Sequence, residues 1–251
     1  MRSSFYHIND NLEPDCEIPK DEYFVYVNYF GIKDSFVNGS EEKKKLIIDC
    51  CQAFYSTSNH MSFYSPRKFF PVADGGYLKF DSEKFKNKYE KLPLGESCES
   101  HDFFYKNKKS DQESYSKYKH NEINIENSEV KKMSVATQSL LDLVDFEKLR
   151  QARVENFAYL HDKLGCLNEL KINIQSALGP MVYPLLTSNL SREDFIKNKV
   201  FVAHYWKNIG SNLNNFEKYL SKNLIPLPID HRYGIKHMKK IVDLINSLKV
   251  G

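Results

Sequence analysis

Net charge is scarce in this chain: its 251 residues carry a formal +3, too small an excess for a partner held mainly by attraction to a polyanion. No nucleic-acid partner is expected. An apolar run of bilayer-spanning length is also missing, and the first residues, Met1 to Asn11, lack the apolar stretch of a signal peptide. The chain is therefore expected in the cytoplasm, without a membrane partner. Ten glycines and nine prolines, beside 41% hydrophobic and 27% charged residues, exclude a collagen-like or disordered chain. Cysteines number five, at Cys16, Cys50, Cys51, Cys98 and Cys166. An odd count without CxxC or His-Cys spacing argues against a disulfide framework and against a zinc site, so no metal is expected. The lysines of Lys43 to Lys45 and Lys106 to Lys109 have acids nearby and read as solvated faces.

What is present is organised around Leu46 to Leu78, LIIDCCQAFYSTSNHMSFYSPRKFFPVADGGYL. Leu46, Ile47 and Ile48 form a continuous apolar run, which suits a strand covered on both faces. Asp49 falls at the carboxyl end of that strand, the end that faces the ligand crevice in open α/β sheets. Lys68 follows among Phe63, Tyr64, Arg67, Phe69 and Phe70, surroundings that lower the pKa of a partly buried amine. An amine of lowered pKa is a nucleophile toward a carbonyl. Taken singly, an acid after a strand is more often a cap, and a lone lysine more often solvated.

Together these segments resemble the DegT/StrS family of pyridoxal-phosphate-dependent sugar aminotransferases, within the fold-type I, aspartate aminotransferase-like superfamily. Asp49-Cys50-Cys51-Gln52-Ala53-Phe54 is similar to that family's D-x-x-Q/H-A-x segment. Ser65-Pro66-Arg67-Lys68 with Asp74-Gly75-Gly76 is similar to its lysine loop followed by (E/D)-G-G, and Asn28-Tyr29-Phe30-Gly31 to its N-(x)-x-G segment. The resemblance implies pyridoxal 5'-phosphate as cofactor, with Asp49 facing the pyridine nitrogen, Gln52 beside the ring and Lys68 as the catalytic lysine that holds the aldehyde. A carboxylate there keeps the pyridinium protonated and strengthens the ring as an electron sink. The family's phosphate-binding serine, five residues before the lysine, is replaced by Phe63, which leaves Ser62 and Ser65 on either side as candidate phosphate ligands.

Along the rest of the chain, short strands are expected at Phe5 to Ile8 and from Tyr23 to a turn at Gly31, then a helix from about Lys33 to Lys45. A strand pair is expected around Phe63 and Tyr77, and a helix over Asp81 to Tyr89. Lys106 to Lys132 is polar and reads as an exposed helix or excursion. Met133 to Leu164 is the strongest helical stretch, with Asp145 capping between two helices, and Arg150 to Phe157 is similar to the family's R-x-x-N/Y crossing helix. Strands are expected at Met181 to Leu185, Val200 to Trp206 and Leu224 to Asp230, a capped helix after Ser191, and a last helix from Gly234 to Leu248. The run His231-Arg232-Tyr233 offers substrate-binding groups for a phosphate or carboxylate; a capped turn is an equal reading.

The fold class expected is α/β: an incomplete aspartate-aminotransferase-like large domain over residues 1–130 and, over 131–251, the interdomain helix and a small C-terminal α/β domain. The resemblance implies transfer of an amino group from a donor such as glutamate to a keto sugar carried on a nucleotide, for amino-sugar and surface-polysaccharide synthesis, in a homodimer. In the family a longer N-terminal portion supplies further phosphate ligands and the ring-stacking aromatic, which this sequence lacks. The alternative is therefore a catalytically incompetent remnant or partner subunit. A dehydratase, as in some relatives, is a third reading, against which Lys68 speaks because those relatives carry histidine there.

Overall fold

The structure is a computed structural model that describes residues 3–39, 45–80, 82–96, 120–207 and 210–250. Lys43, Lys44, Cys98, the Lys106 to Lys109 cluster and residues 110–119 of the polar stretch that follows it lie outside the described residues. Of that stretch, residues 120–126 are helical.

The first layer is a mixed four-stranded sheet in the order β1-β2-β3-β4. Strand β1 (Phe24–Val27) runs parallel to β2 (Leu46–Asp49), which runs parallel to β3 (Met61–Tyr64). The connection 65–76, which ends at Gly75-Gly76, then brings β4 (Tyr77–Lys79) back antiparallel on β3. Helix α1 (Asp34–Gly39) lies in the first crossover, and it is shorter than the Lys33 to Lys45 helix expected, of which residues 40–44 are not described. The sheet is not covered on both faces. Phe24, Tyr26, Leu46, Ile48 and Ser62 lie in register on a buried face, while Val25, Ile47, Met61, Asp49, Phe63 and Leu78 lie on the other, half-open one. Alternating burial within a continuous apolar run is what pattern alone misses.

Helices α2 (Glu83–Glu90), α3 (Val135–Asp142) and α4 (Phe146–Leu164) follow. Ser134 caps α3 on the Thr137 N–H, and Asp145 caps α4 on the Lys148 N–H. The second layer pairs β5 (Val182–Leu186) antiparallel with β6 (Leu224–Pro228), and Pro184 opposite Pro226 is tolerated because this ladder has only two strands. Capping boxes open α5 (Arg192–Lys197) at Ser191/Asp194 and α6 (Asn215–Asn223) at Asn214/Glu217, and α7 (Ile235–Val250) closes the chain against α4. The α6 box carries the same signature as the Ser191 box but went unread in the sequence.

Three expected strands differ. Phe5 to Ile8 forms only a bridge between Ile8 and Pro14, because the Ile8 N–H is taken by the Glu217 carboxylate and the Tyr6 ring stacks on Phe24 at 4.6 Å. The strand from Tyr23 stops at Val27, and Tyr29–Gly31 is a 3-10 turn in which Phe30 takes a φ of 58° to bury its ring completely. Val200 to Trp206 is irregular. Its ends, Lys199 and Trp206, both have positive φ, and the Tyr205 and Trp206 rings pack over Phe30 at 6.2 and 5.9 Å instead of presenting a strand edge. Ile8, Leu12, Phe30 and Ile32 thereby share one core with Phe157, Leu160, Tyr183, Leu227 and Ile245.

Under the buried face of the sheet, Asp34 is 4% exposed and accepts hydrogen bonds from Asn28 Nδ2 at 2.7 Å and from the Ser56 hydroxyl. Burial raises its pKa, and the two donors lower it by less. The folded state therefore holds this proton more tightly than the unfolded chain. That contribution is complete below the ordinary carboxylate range and is lost as pH rises through the raised value. Asp34→Asn removes the titration. In urea unfolding from about pH 4 to about pH 7, the wild type should lose stability relative to the variant as pH rises, with a limiting slope of about 1.4 kcal/mol per pH unit. Parallel curves would contradict a buried, titrating Asp34.

Candidate functional site

The carboxyl ends of β2 and β3 carry the sequence-identified groups. Asp49 ends β2 between Val27 and Phe63, with its carboxylate on the half-open face. Its Oδ1 accepts the Cys51 N–H at 2.8 Å, an anchor that fixes the side chain, and Oδ2 accepts no N–H or O–H from the described residues. The Cys51 thiol beside it is pushed up to about 12, by burial first and then by the Asp49 charge, with Lys68 pulling the other way. The charges of Asp49 and Lys68 thus act on the same thiol with opposite sign. It closes a single 3-10 turn, Pro66–Lys68, that Pro66 starts after β3, and its ammonium is exposed, without an ion pair or hydrogen bond among the described residues.

Gln52 sits in the turn after Asp49, and its Oε1 accepts the Phe30 N–H at 3.1 Å, which holds the left-handed Phe30-Gly31 corner against the strand end. At Gly31 a φ of 73° and the Gln52 carbonyl, 3.2 Å from where a Cβ would stand, leave room for glycine only. Ser65 precedes the lysine turn, half-buried, and its hydroxyl caps nothing. Ser62 is not brought to this group: it is fully buried on the covered face, opposite to Asp49, and donates to the His60 carbonyl at 3.0 Å. Alternation along β3 decides this, since Ser62 pairs with Ile48 and Phe63 with Asp49. Asp74 and Gly75 shape the end of the loop, where Gly75 has a φ of 98° and lies so close to Met133 that a Cβ would meet its Cε at 2.8 Å.

His231, Arg232 and Tyr233 form the turn between β6 and α7, and the fold sets this turn against the lysine loop. The His231 ring stacks on Phe70 with centroids 6.5 Å apart. Burial lowers the His231 pKa, and Arg153 lowers it further. Arg232 is exposed, and its fork is already filled: Nε and Nη2 donate to the two Asp230 oxygens at 2.7 and 3.0 Å. Tyr233 contributes its carbonyl, which accepts Asn156 Nδ2 at 2.9 Å.

Arg153 on α4 lies within the Arg150 to Phe157 segment that resembles the crossing helix, but the sequence reading gave it no binding role. It is 2% exposed, its Nη1 donates to the Pro180 and Met181 carbonyls at 3.2 and 3.1 Å, and its Cζ lies 4.7 Å from the centre of the Phe69 ring, one residue beyond Lys68. Helical spacing places Arg153 on the same face as the buried Asn156, Phe157 and Leu160, which is the signal that could have marked it as a buried cation. Among the described residues no group of histidine, cysteine and acidic side chains could hold a metal ion, and no helix is long and apolar enough to cross a membrane.

No family model matches the chain, and no curated protein matches it in sequence. Solved structures match in fold. A DegT DnrJ EryC1 StrS aminotransferase from Brucella abortus superposes with a TM-score of 0.58 at 12% identity, over 91% of this chain and 64% of that one. The E. coli GDP-4-keto-6-deoxy-D-mannose-3-dehydratase with bound hydrated PLP gives 0.58 at 14% identity, over 96% and 73%. DesV from S. venezuelae, in complex with a ketimine intermediate, gives 0.55 at 10%, over 93% and 66%. The chain thus shares its fold with these solved structures, and it spans about two thirds of their length.

Proposed function

We propose that this chain is a pyridoxal-phosphate-dependent aminotransferase that passes an amino group from an amino-acid donor, glutamate in the first instance, to a keto sugar linked to a nucleotide, for amino-sugar and surface-polysaccharide synthesis. The observation that carries this reading is Asp49 at the end of β2 and the exposed Lys68 in the turn that follows the adjacent strand β3, in a fold shared with such enzymes. The donor set fits the cofactor at these two points. Asp49, on the half-open face, would accept a pyridinium N–H, and the exposed Lys68 amine would take the aldehyde. When bound, the ring supplies an electron sink for carbanion chemistry.

The chain's own residues do the rest. Asp49, tethered by the Cys51 N–H, would face the ring nitrogen, and Gln52 holds the Phe30-Gly31 corner. Lys68 would hold the cofactor's aldehyde and serve as the group that moves a proton. Ser65 is the hydroxyl left for the phosphate, since Ser62 is committed to His60. The His231 turn borders the same loop through Phe70 and offers groups for the substrate. The family resemblance adds a homodimer to this reading, and the small net charge and the lack of a long apolar run add a cytoplasmic place with neither nucleic acid nor membrane as partner.

The test is covalent. Protein incubated with pyridoxal phosphate and reduced with borohydride should carry one adduct per chain, mapped by mass spectrometry to Lys68. Labelling scattered over surface lysines, or none, would remove the enzyme reading and leave the alternative of a catalytically incompetent subunit.

A further inference from the structure

Among the described residues four buried side-chain polar atoms have no hydrogen-bond partner: Tyr55 Oη, Arg153 Nε, His231 Nδ1 and Ser176 Oγ. The first three belong to one neighbourhood, around the Phe69-Phe70 pair that follows Lys68. Tyr55 meets Phe69 edge to face at 5.9 Å, Arg153 lies over the same ring at 4.7 Å, and His231 stacks on Phe70 at 6.5 Å. Gly179 fixes Tyr55 from behind, since a Cβ there would stand 2.5 Å from the ring.

The guanidinium is used on one side only. Nη1 donates to two carbonyls, while neither Nε nor Nη2 donates to any described residue. That unused Nε–Nη2 edge is the geometry that grips two oxygens of a carboxylate or phosphate at once. Charge points the same way. The acid that acts on Arg153 is Asp230, whose two oxygens are already taken by Arg232, so two guanidinium groups share one carboxylate and a buried positive charge is left over. A buried charge without a partner is costly, and an incoming anion would relieve that cost.

We infer that Arg153, with Tyr55 and His231 beside it, forms a binding site for a small anion that presents two oxygens to the Nε–Nη2 edge, with the carboxylate of the amino-acid donor as its first-choice ligand. The anion site stands on the geometry and charge around Arg153; its assignment to the donor rests on the proposed function. The turn predicted to bind an anion through Arg232 is thereby supplemented by a different arginine, whose fork is open where that of Arg232 is filled.

The experiment uses the whole chain without cofactor, so that its outcome is separate from that of the Lys68 adduct. Calorimetric titrations and thermal melts with L-glutamate, with inorganic phosphate and with chloride at matched ionic strength are compared for wild type, Arg153→Lys and Tyr55→Phe. Glutamate or phosphate should bind and raise the melting temperature above chloride. Arg153→Lys, which keeps the charge but loses the paired edge, should weaken binding about tenfold or more, and Tyr55→Phe, which keeps the packed ring, by about threefold to tenfold. Glutamate binding more tightly than phosphate supports the donor assignment; phosphate binding more tightly supports the anion site and overturns that assignment. No anion effect beyond chloride in the wild type, or equal binding in both variants, overturns the site.

Discussion

Asp49→Asn is expected to retain the Lys68 adduct and to lower turnover on the order of a hundredfold or more, whereas Lys68→Ala is expected to lose the adduct and the turnover together. The asparagine keeps the shape of the side chain and an oxygen for the Cys51 N–H, so the turn after β2 should survive. What it lacks is the charge. A carboxylate at this strand end would stabilise a protonated ring nitrogen of the bound cofactor, which strengthens the ring as an electron sink. Half-burial strengthens that interaction relative to water. Adduct mapping by mass spectrometry and single-turnover absorbance with glutamate separate the two variants. An Asp49→Asn enzyme that turns over at the wild-type rate would show that this acid does not serve the ring.

How far the sequence foretold this site depends on what fixes each residue. The place of Asp49 at a strand end was legible from the apolar run before it, while Gln52 and Lys68 were singled out by resemblance to family motifs, and the structure places them in the turns after β2 and β3. The strand pair at β3 and β4 and the caps at Ser191 and Asp145 were legible from local pattern. The role of Ser62 was not, since it hangs on strand phase, and a shift of one residue sends the hydroxyl to the opposite face. Val200 to Trp206 has the composition of a strand, yet tertiary packing of Tyr205 and Trp206 over Phe30 overrides it. Arg153 shows the same limit most clearly. That Arg232 is filled and Arg153 is open follows from the position of Asp230, 77 residues from Arg153 along the chain, and no local pattern records that.

Phe157→Ala is expected to destabilise the fold by about 3–5 kcal/mol, a large part of the margin of about 5–15 kcal/mol typical of a domain. Phe157 is 1% exposed on α4, packs edge to face on Tyr183 of β5 at 5.1 Å, and lies parallel to the His161 ring at 6.3 Å. Truncation leaves a cavity between a helix and a two-stranded ladder, and neither can collapse far because α4 is also held by α7. The consequence extends to the site. One turn before Phe157, the same helix presents Arg153 to Phe69, and one residue before it, Asn156 donates to the Ile229 and Tyr233 carbonyls at 3.1 and 2.9 Å. Loosening α4 therefore frees both the turn that carries His231 and the ring that follows Lys68. In urea titrations the variant should show a lowered midpoint with an unchanged slope, and at low urea its anion affinity should fall along with its stability. A midpoint within about 1 kcal/mol of wild type would mean that α4 is held to the core by contacts other than this ring.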